Sequence, residues 1–331
     1  MSNSVLAERQ CLPKFPDIFS AGAILTKPYR LALNIFHTKI RLCLHKGRYT
    51  VKTVSEPAEL EKVLQLRREV FFGQRAGKSP YLSIDIDRFD LSCDHIMVAE
   101  RATGKIVGTY RLNSSLFTKS FYSAKEFDMD NVLKLAGTKL ELGRACIHKD
   151  FRNGMIIALL WRGIREYMKM TGTKYLFGCS SVDTTDQAEI GRLHKYFSFG
   201  HYSPDSFRVY PRDKYAVVDK SLMRGHVLSG SGEIDLVHNY SVQNGYKKDS
   251  VKVAPGDDPA ETGRDTTGET AAPENNQAKG RVALPPLLHF YLKAGAVICG
   301  EPALDKHFGC ADFFTLLDVD CMNKSMERRF A

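Results

Sequence analysis

Residues 139–181 carry the strongest folding signal in the chain. Two strand-like runs, KLELGRACIH (139–148) and KYLFGCSS (174–181), flank one strongly amphipathic helix. From Gly154 to Met170 the apolar residues Ile156, Leu160, Ile164 and Met168 recur every four positions, which commits one helical face to a core. Gly172 follows, the residue that most readily takes the left-handed turn ending a helix. A strand, a helix and a strand in such close succession call for an α/β arrangement.

The segments on either side extend the pattern. Arg48 to Val54 reads as a strand, and Glu56 to Phe72 as a helix with Ser55 as its candidate N-cap. Pro57 falls in the first turn, where its missing N–H costs nothing. The runs 94–100 (DHIMVAE) and 105–113 (KIVGTYRLN) form a hairpin whose turn, RATG, uses Gly104. Asp186 to Phe197 is a further helix. No internal repeat is present. The fold class is α/β (α+β), a mixed central sheet flanked by helices.

Length and composition set the boundaries. The chain has 331 residues, of which 43% are apolar and 26% charged, values of a globular protein with a real core. No run approaches the roughly 20 uncharged apolar residues of a spanning helix. The first residues lack the basic, apolar and small-residue succession of a signal peptide. The eight cysteines form no CxxC pair and read as reduced thiols. These features predict a cytoplasmic protein. From 249 to 280 there is no aromatic residue, Leu or Ile, so that segment reads as a disordered insert. Apolar sequence then resumes. The expected organisation is a basic N-terminal extension (1–47), a core (48–245), the insert (249–280) and a segment completing the fold (281–331).

The net charge is +9, and the first fifty residues hold eight basic side chains against two acidic ones, which suggests an anionic partner. In 28–46, Tyr29, Leu33, Phe36, Ile40 and Leu44 are spaced as one face of a basic helix. That helix either lies in a membrane interface, on the inner face of the cytoplasmic membrane, or packs on the domain. No nucleic-acid reader module accompanies the charge, so nucleic acid is not expected as a partner.

Three constellations carry chemistry. The turn before the central helix, HKDFRNG, sets His148, Lys149 and Arg152 beside Gly154, where unpaired helical N–H groups suit a phosphate. It is neither a P-loop nor GxGxxG. Glu141 is the one acid in the apolar run KLELGRACI. It is either paired with Arg144 or used as a base. Asp87, Asp90 and Asp94 make an acid-rich loop without the spacing of an EF-hand, so no metal is expected. His95 reads as a structural hydrogen-bonder, and Arg67 and Arg68 as a solvated basic face.

Taken in order, LRREVFF (66–72), FDLSCDHIMVAE (89–100), TGKIVGTYRL (103–112), LELGRACIHKDFRNG (140–154), LLWRGIREY (159–167) and YLFGCSS (175–181) resemble the acyltransferase branch of the GNAT superfamily. Within it the sequence is similar to the ornithine N-acyltransferases of ornithine-lipid synthesis, whose relatives are often labelled hemolysins. The tail motifs at 284–305 and 311–318 look like the same family. A more distant similarity is to acyl-homoserine-lactone synthases, in the spacings Arg67…Phe71, Asp87…Asp90 and Glu141…Arg144.

The resemblance implies a GNAT-like fold and transfer of a (3-hydroxy)fatty acyl group from acyl carrier protein to the α-amine of an amino acid, with ornithine as acceptor. The product would be a lyso-ornithine lipid. It implies Glu141 as base, with Arg111, Arg144, Asp87 and Asp90 around the acceptor. Lys149, Arg152 and Gly154 would meet the pantetheine phosphate, and Arg67, Phe71 and Cys179 are further pocket residues. The loop Arg152-Asn153-Gly154-Met155-Ile156 is one residue shorter than the usual coenzyme A loop of the superfamily, which fits a carrier-protein donor. No bound cofactor is implied; the acyl-carrier thioester is a co-substrate. The alternatives are another acceptor amino acid, acyl-homoserine-lactone synthesis, and a non-catalytic membrane-lytic protein.

Overall fold

The computed structural model describes residues 33–73, 84–217 and 284–325. In chain order it contains β1 (Cys43–Lys46), β2 (Tyr49–Thr53), α1 (Pro57–Phe72), β3 (Asp94–Glu100), β4 (Ile106–Ser114), β5 (Phe127–Asp128) and a short α2 (Asp130–Lys134). Then come β6 (Thr138–Ile147), α3 (Met155–Thr171), β7 (Thr173–Val182), α4 (Gln187–Gly200) and β8 (Tyr210–Pro211). After the undescribed stretch follow α5 (Pro286–Lys293), β9 (Val297–Ile298), β10 (Ala303–Asp305) and β11 (Cys310–Asp318). The central sheet runs β1-β2-β3-β4-β6-β7-β11-β10, with β9 also on β11, while β5 and β8 pair separately. Among the described strands β6 and β7 are the parallel pair, and α3 supplies the crossover that parallel strands require.

The sheet is mixed and covered on both faces, because alternate residues of a strand point opposite ways. On one face α3 and α5 pack over Ile96, Val98, Tyr110, Leu142 and Leu317, and α4 over Phe313. On the other face α1 covers Met97, Ile106 and Cys146, and Phe121, Phe127 and Val132 cover Phe177 and Phe314. Helix α3 ends, as its sequence predicts, on Gly172 at φ 57°.

Two local expectations fail. Ser55 does not cap α1; Glu56 takes that position, while the Ser55 N–H and hydroxyl both donate to Glu59. From 34 to 46 the chain is not helical. Leu33 and Phe36 sink into the core under α1, the Lys39 and Ile40 N–H groups donate to Asp94, and Cys43–Lys46 pairs with β2. Strand pairing and buried anchors override the helical spacing, and this part packs on the domain. Residues 28–32, 218–245 and the insert 249–280 lie outside the described residues.

The functional feature of the fold is a fork. Strands β6 and β7 pair from Thr138↔Thr173 to Glu141↔Phe177, with one register shift after Thr138, and then separate. The cause lies in β6. Thr109 faces Cys146 and Arg111 faces Gly143, so β6 carries one residue more than β4, a bulge that bends it away from β7. Arg144 sits in this bulge at φ 51°, the one non-glycine in the left-handed region among the described residues. Such backbone costs on the order of 1–3 kcal/mol and persists where its surroundings hold it. At the crotch, Gly178 lets the chains touch: a Cβ there would lie 2.3 Å from the Leu142 carbonyl oxygen.

Candidate active site

A cleft of about 680 Å³ opens at the fork and reaches through the sheet. On the α3 side its walls are apolar, from Ile157, Leu287 and Phe290. A smaller recess of about 40 Å³, bounded by Trp161, Tyr291 and Leu317, shares Leu142 and Cys179 with it. On the opposite side the walls are polar: Arg111, Asn113, Glu141, Arg144, Ser181 and Asp312. The strand period explains this division. Glu141, Cys179 and Ser181 alternate with Leu142 and Gly178, so polar groups share one sheet face and apolar groups the other.

Of the sequence-predicted site residues, Glu141, Arg111, Arg144, Arg152, Gly154, Phe71 and Cys179 line the cleft. Asp87, Asp90 and Arg67 do not; they form the ionic layer beneath it. Arg67 is wholly buried, not part of a solvated face, and grips Asp85 at 2.7 and 2.8 Å and Asp90 at 2.6 and 3.2 Å. Arg111 donates to both Asp87 oxygens at 2.8 Å and to Asp90 at 3.0 Å. Arg144 reaches Asp87 at 3.3 Å and Asp85 at 3.7 Å. Three guanidiniums balance three carboxylates. Burial alone would raise the Asp90 carboxyl, yet Arg67 and Arg111 hold it well below the ordinary carboxylate range. His95, buried beside Asp90, is pushed down to about 4 and stays neutral, as a structural hydrogen-bonder should. Lys149 is solvent-exposed, pairs with Asp150 and stands outside the cleft wall.

The Glu141–Arg144 ion pair does not form, because Arg144 is engaged by Asp85 and Asp87. Glu141 instead accepts four hydrogen bonds, from Asn113 Nδ2 (3.1 Å), Tyr122 N (2.9 Å), Ser123 N (2.7 Å) and Ser123 Oγ (2.8 Å). Each carboxylate oxygen takes two donors, which fills the four acceptor positions a carboxylate offers. Glu141 therefore pins the turn at 122–123 to β6 and faces the cleft with no position to spare. Above it Arg144 lies over the rings of Tyr122 (5.3 Å) and Phe308 (4.8 Å).

The sequence reading missed a second set of acids. Glu126, Asp305 and Asp312 are buried, with carboxyl oxygens within 4.8 Å of one another. Burial and the neighbouring Asp312 charge push Glu126 up to about 9, and burial raises Asp312 too. Asp312 stands alone in the apolar run CADFFTLL (310–317), the same signal that singled out Glu141. Cys179 is buried beside Ser123 and Glu126, and burial lifts its thiol well above the usual range, so no thiolate nucleophile faces the cleft from it. At the mouth, Gly154 opens α3 in a left-handed conformation (φ 81°) with nothing within 4 Å of where a side chain would start, and Arg152 lies beside it.

The chain is similar to known proteins. Residues 66–162 match the acetyltransferase (GNAT) domain model. Over 290 residues the chain is 26% identical to an L-ornithine N(alpha)-acyltransferase of Brucella abortus (strain 2308), covering 83% of this chain and 85% of that protein. Over 277 residues it is 28% identical to the enzyme of the same name from Rhizobium meliloti (strain 1021), covering 79% and 77%. The solved structure of the acyl-homoserine-lactone synthase LasI is a looser match, at 18% identity, a TM-score of 0.32 and coverage of 41% and 74%.

Proposed function

We propose that this chain, which carries a GNAT domain, is an amino-acid N-acyltransferase that moves a fatty acyl group from a carrier thioester to the α-amine of ornithine. The observation that carries the reading is the fork, where an apolar chamber and a charged chamber meet inside one cleft. An acyl chain belongs in the first and a zwitterionic amino acid in the second, which brings thioester carbon and amine nitrogen together at the crotch. The similarity along most of the chain to L-ornithine N(alpha)-acyltransferases supports ornithine as acceptor.

The reaction needs no covalent intermediate. The amine attacks the thioester carbonyl, the C–N bond forms, the C–S bond breaks, and the carrier leaves as a thiol. Arg144 and Arg111 offer guanidinium donors for the acceptor carboxylate. Their charges are already balanced by Asp85, Asp87 and Asp90, so they orient an anion without the cost of an unpaired buried cation. Where β6 and β7 cease to pair, beyond Glu141↔Phe177, backbone N–H groups can meet the thioester oxygen as charge develops on it. Arg152 and the N-terminus of α3 suit the phosphate of a pantetheine arm. Exposed Lys149 and the basic surface suit acyl carrier protein as the acidic partner that presents it. The amphiphilic product leaves peripheral contact with an anionic membrane as a role for the N-terminal residues before 33.

The test uses the purified full chain with ornithine and either an acyl carrier protein thioester or an acyl coenzyme A. Expected are N-acylornithine by mass spectrometry and one thiol per product, with the carrier protein preferred. Acylation of a different amino acid in preference to ornithine, or a methylthioadenosine by-product from S-adenosylmethionine, would replace this reading.

A further inference from the structure

N-acylation needs a base, because an α-amine is largely protonated near neutral pH and an ammonium has no lone pair to attack with. Glu141 has its acceptor positions filled. Asp312 does not share that fate. It lies on β11 directly opposite Ser181 of β7, lines the same polar chamber, and receives the Ser181 hydroxyl on one oxygen. Its other oxygen has the Cys310 thiol at 3.8 Å, a weak donor. Behind it Glu126 lies within 4.8 Å, close enough for the two buried carboxyls to share a proton, and Glu126, pushed up to about 9, is the member that keeps it.

We propose that Asp312 is the catalytic base that takes the proton from the acceptor's α-ammonium, with Glu126 as the positioning residue that holds it in place. This rests on the acyl-transfer reading above. One ammonium proton passes to the Asp312 carboxylate, giving the free amine. Its nitrogen attacks the thioester carbon, and the tetrahedral intermediate collapses with the electron pair leaving on sulfur. The nitrogen's surplus proton ends on that thiolate, and Asp312 returns its proton to water. The charged and titratable groups facing Asp312 are Glu126, Asp305 on β10, Arg144 on β6, Cys179 on β7, Cys310 on its own strand and Tyr215 after β8, with Tyr122 beyond Arg144. Burial and the Asp305 charge raise its proton affinity, and Ser181, Glu126 and Arg144 temper the rise. The result is a stronger base than an exposed Asp.

The experiment compares the full-length wild type with Asp312→Asn, Asp312→Glu and Glu126→Gln, reading kcat, KM for ornithine and thermal unfolding across about pH 6 to 10. Asp312→Asn should lower kcat at least about 100-fold with KM within about threefold, and its rate should climb with pH as hydroxide replaces the base. Asp312→Glu should recover part of kcat. Glu126→Gln, which keeps a donor, should keep kcat within about tenfold. The wild-type kcat should fall on the acid side along a limb set above the ordinary carboxylate range. An Asp312→Asn enzyme with kcat within threefold of wild type overturns the proposal. So does a loss expressed only in KM, which would put Asp312 on the acceptor's side-chain ammonium. If Asp312→Asn does not fold, a wild-type kcat without that acid limb overturns it. A wild type that releases no thiol from either donor overturns the acyl-transfer reading itself.

Discussion

Glu141→Gln separates holding a turn from moving a proton. In the native site both oxygens of Glu141 accept, two of the four bonds coming from main-chain N–H groups of Tyr122 and Ser123. An amide keeps one acceptor oxygen and turns an NH₂ group toward two donors, of which the Ser123 hydroxyl alone can turn round and accept. Depending on how the amide is placed, one or two bonds to a charged group are lost, at about 1.5–3 kcal/mol each. The expected loss is about 1.5–6 kcal/mol, focused on the turn that carries Tyr122 and therefore on the ring beneath Arg144. Denaturant unfolding measures the total, and amide hydrogen exchange at Tyr122 and Ser123 localises it. Exchange at both amides should accelerate before the rest of the sheet opens, with activity falling in step through loss of the acceptor chamber. A variant within 0.5 kcal/mol of wild type, with both amides protected and kcat down a thousandfold, would refute this and return Glu141 to the role of base.

Other perturbations follow from the same geometry. Arg67→Met leaves Asp85 and Asp90 short of their main partner and should cost about 3–5 kcal/mol near neutral pH, by denaturant unfolding. Its deficit should shrink in acid as Asp90 takes a proton. In the wild type, Asp87 and Asp90 have depressed proton affinities in the fold, so their stabilisation is complete above the unfolded value near 3.9 and is lost as pH falls below it. Glu126, which holds its proton in the fold up to about 9, works in the opposite sense, so wild-type stability should rise as pH falls from about 9 toward neutral and then drop below about 4. Gly178→Ala drives a methyl group into the Leu142 carbonyl and should cost about 1–3 kcal/mol while widening the crotch, read as lost stability together with lost turnover. Cys179→Ser, which keeps a small donor beside Ser123 and Glu126, should leave activity within about fivefold, since the reaction uses no thiolate there.

Sequence alone was enough for the local scaffold. The four-residue spacing from Ile156 to Met168, closed by Gly172, is a property of contiguous residues, and α3 forms where it predicts. The hairpin of β3 and β4 and the helix at 187–200 are legible for the same reason: propensity and period act over a few neighbours. The lone acid in an apolar run marked Glu141 as important before any fold was known. Tertiary structure decided what that acid does. Its four donors come from residues 18 to 28 positions away, and Arg144, three residues along, is turned aside by a left-handed bulge toward Asp85 and Asp87. Arg67 looks solvated on a helix because a single helix cannot show which face a distant loop of aspartates will cover. The strand Cys43–Lys46 likewise depends on a partner strand, which overrides the helical spacing of those residues. Asp312 meets Glu126 across more than half of the chain, and a burial-driven proton affinity exists only when both have been removed from water together.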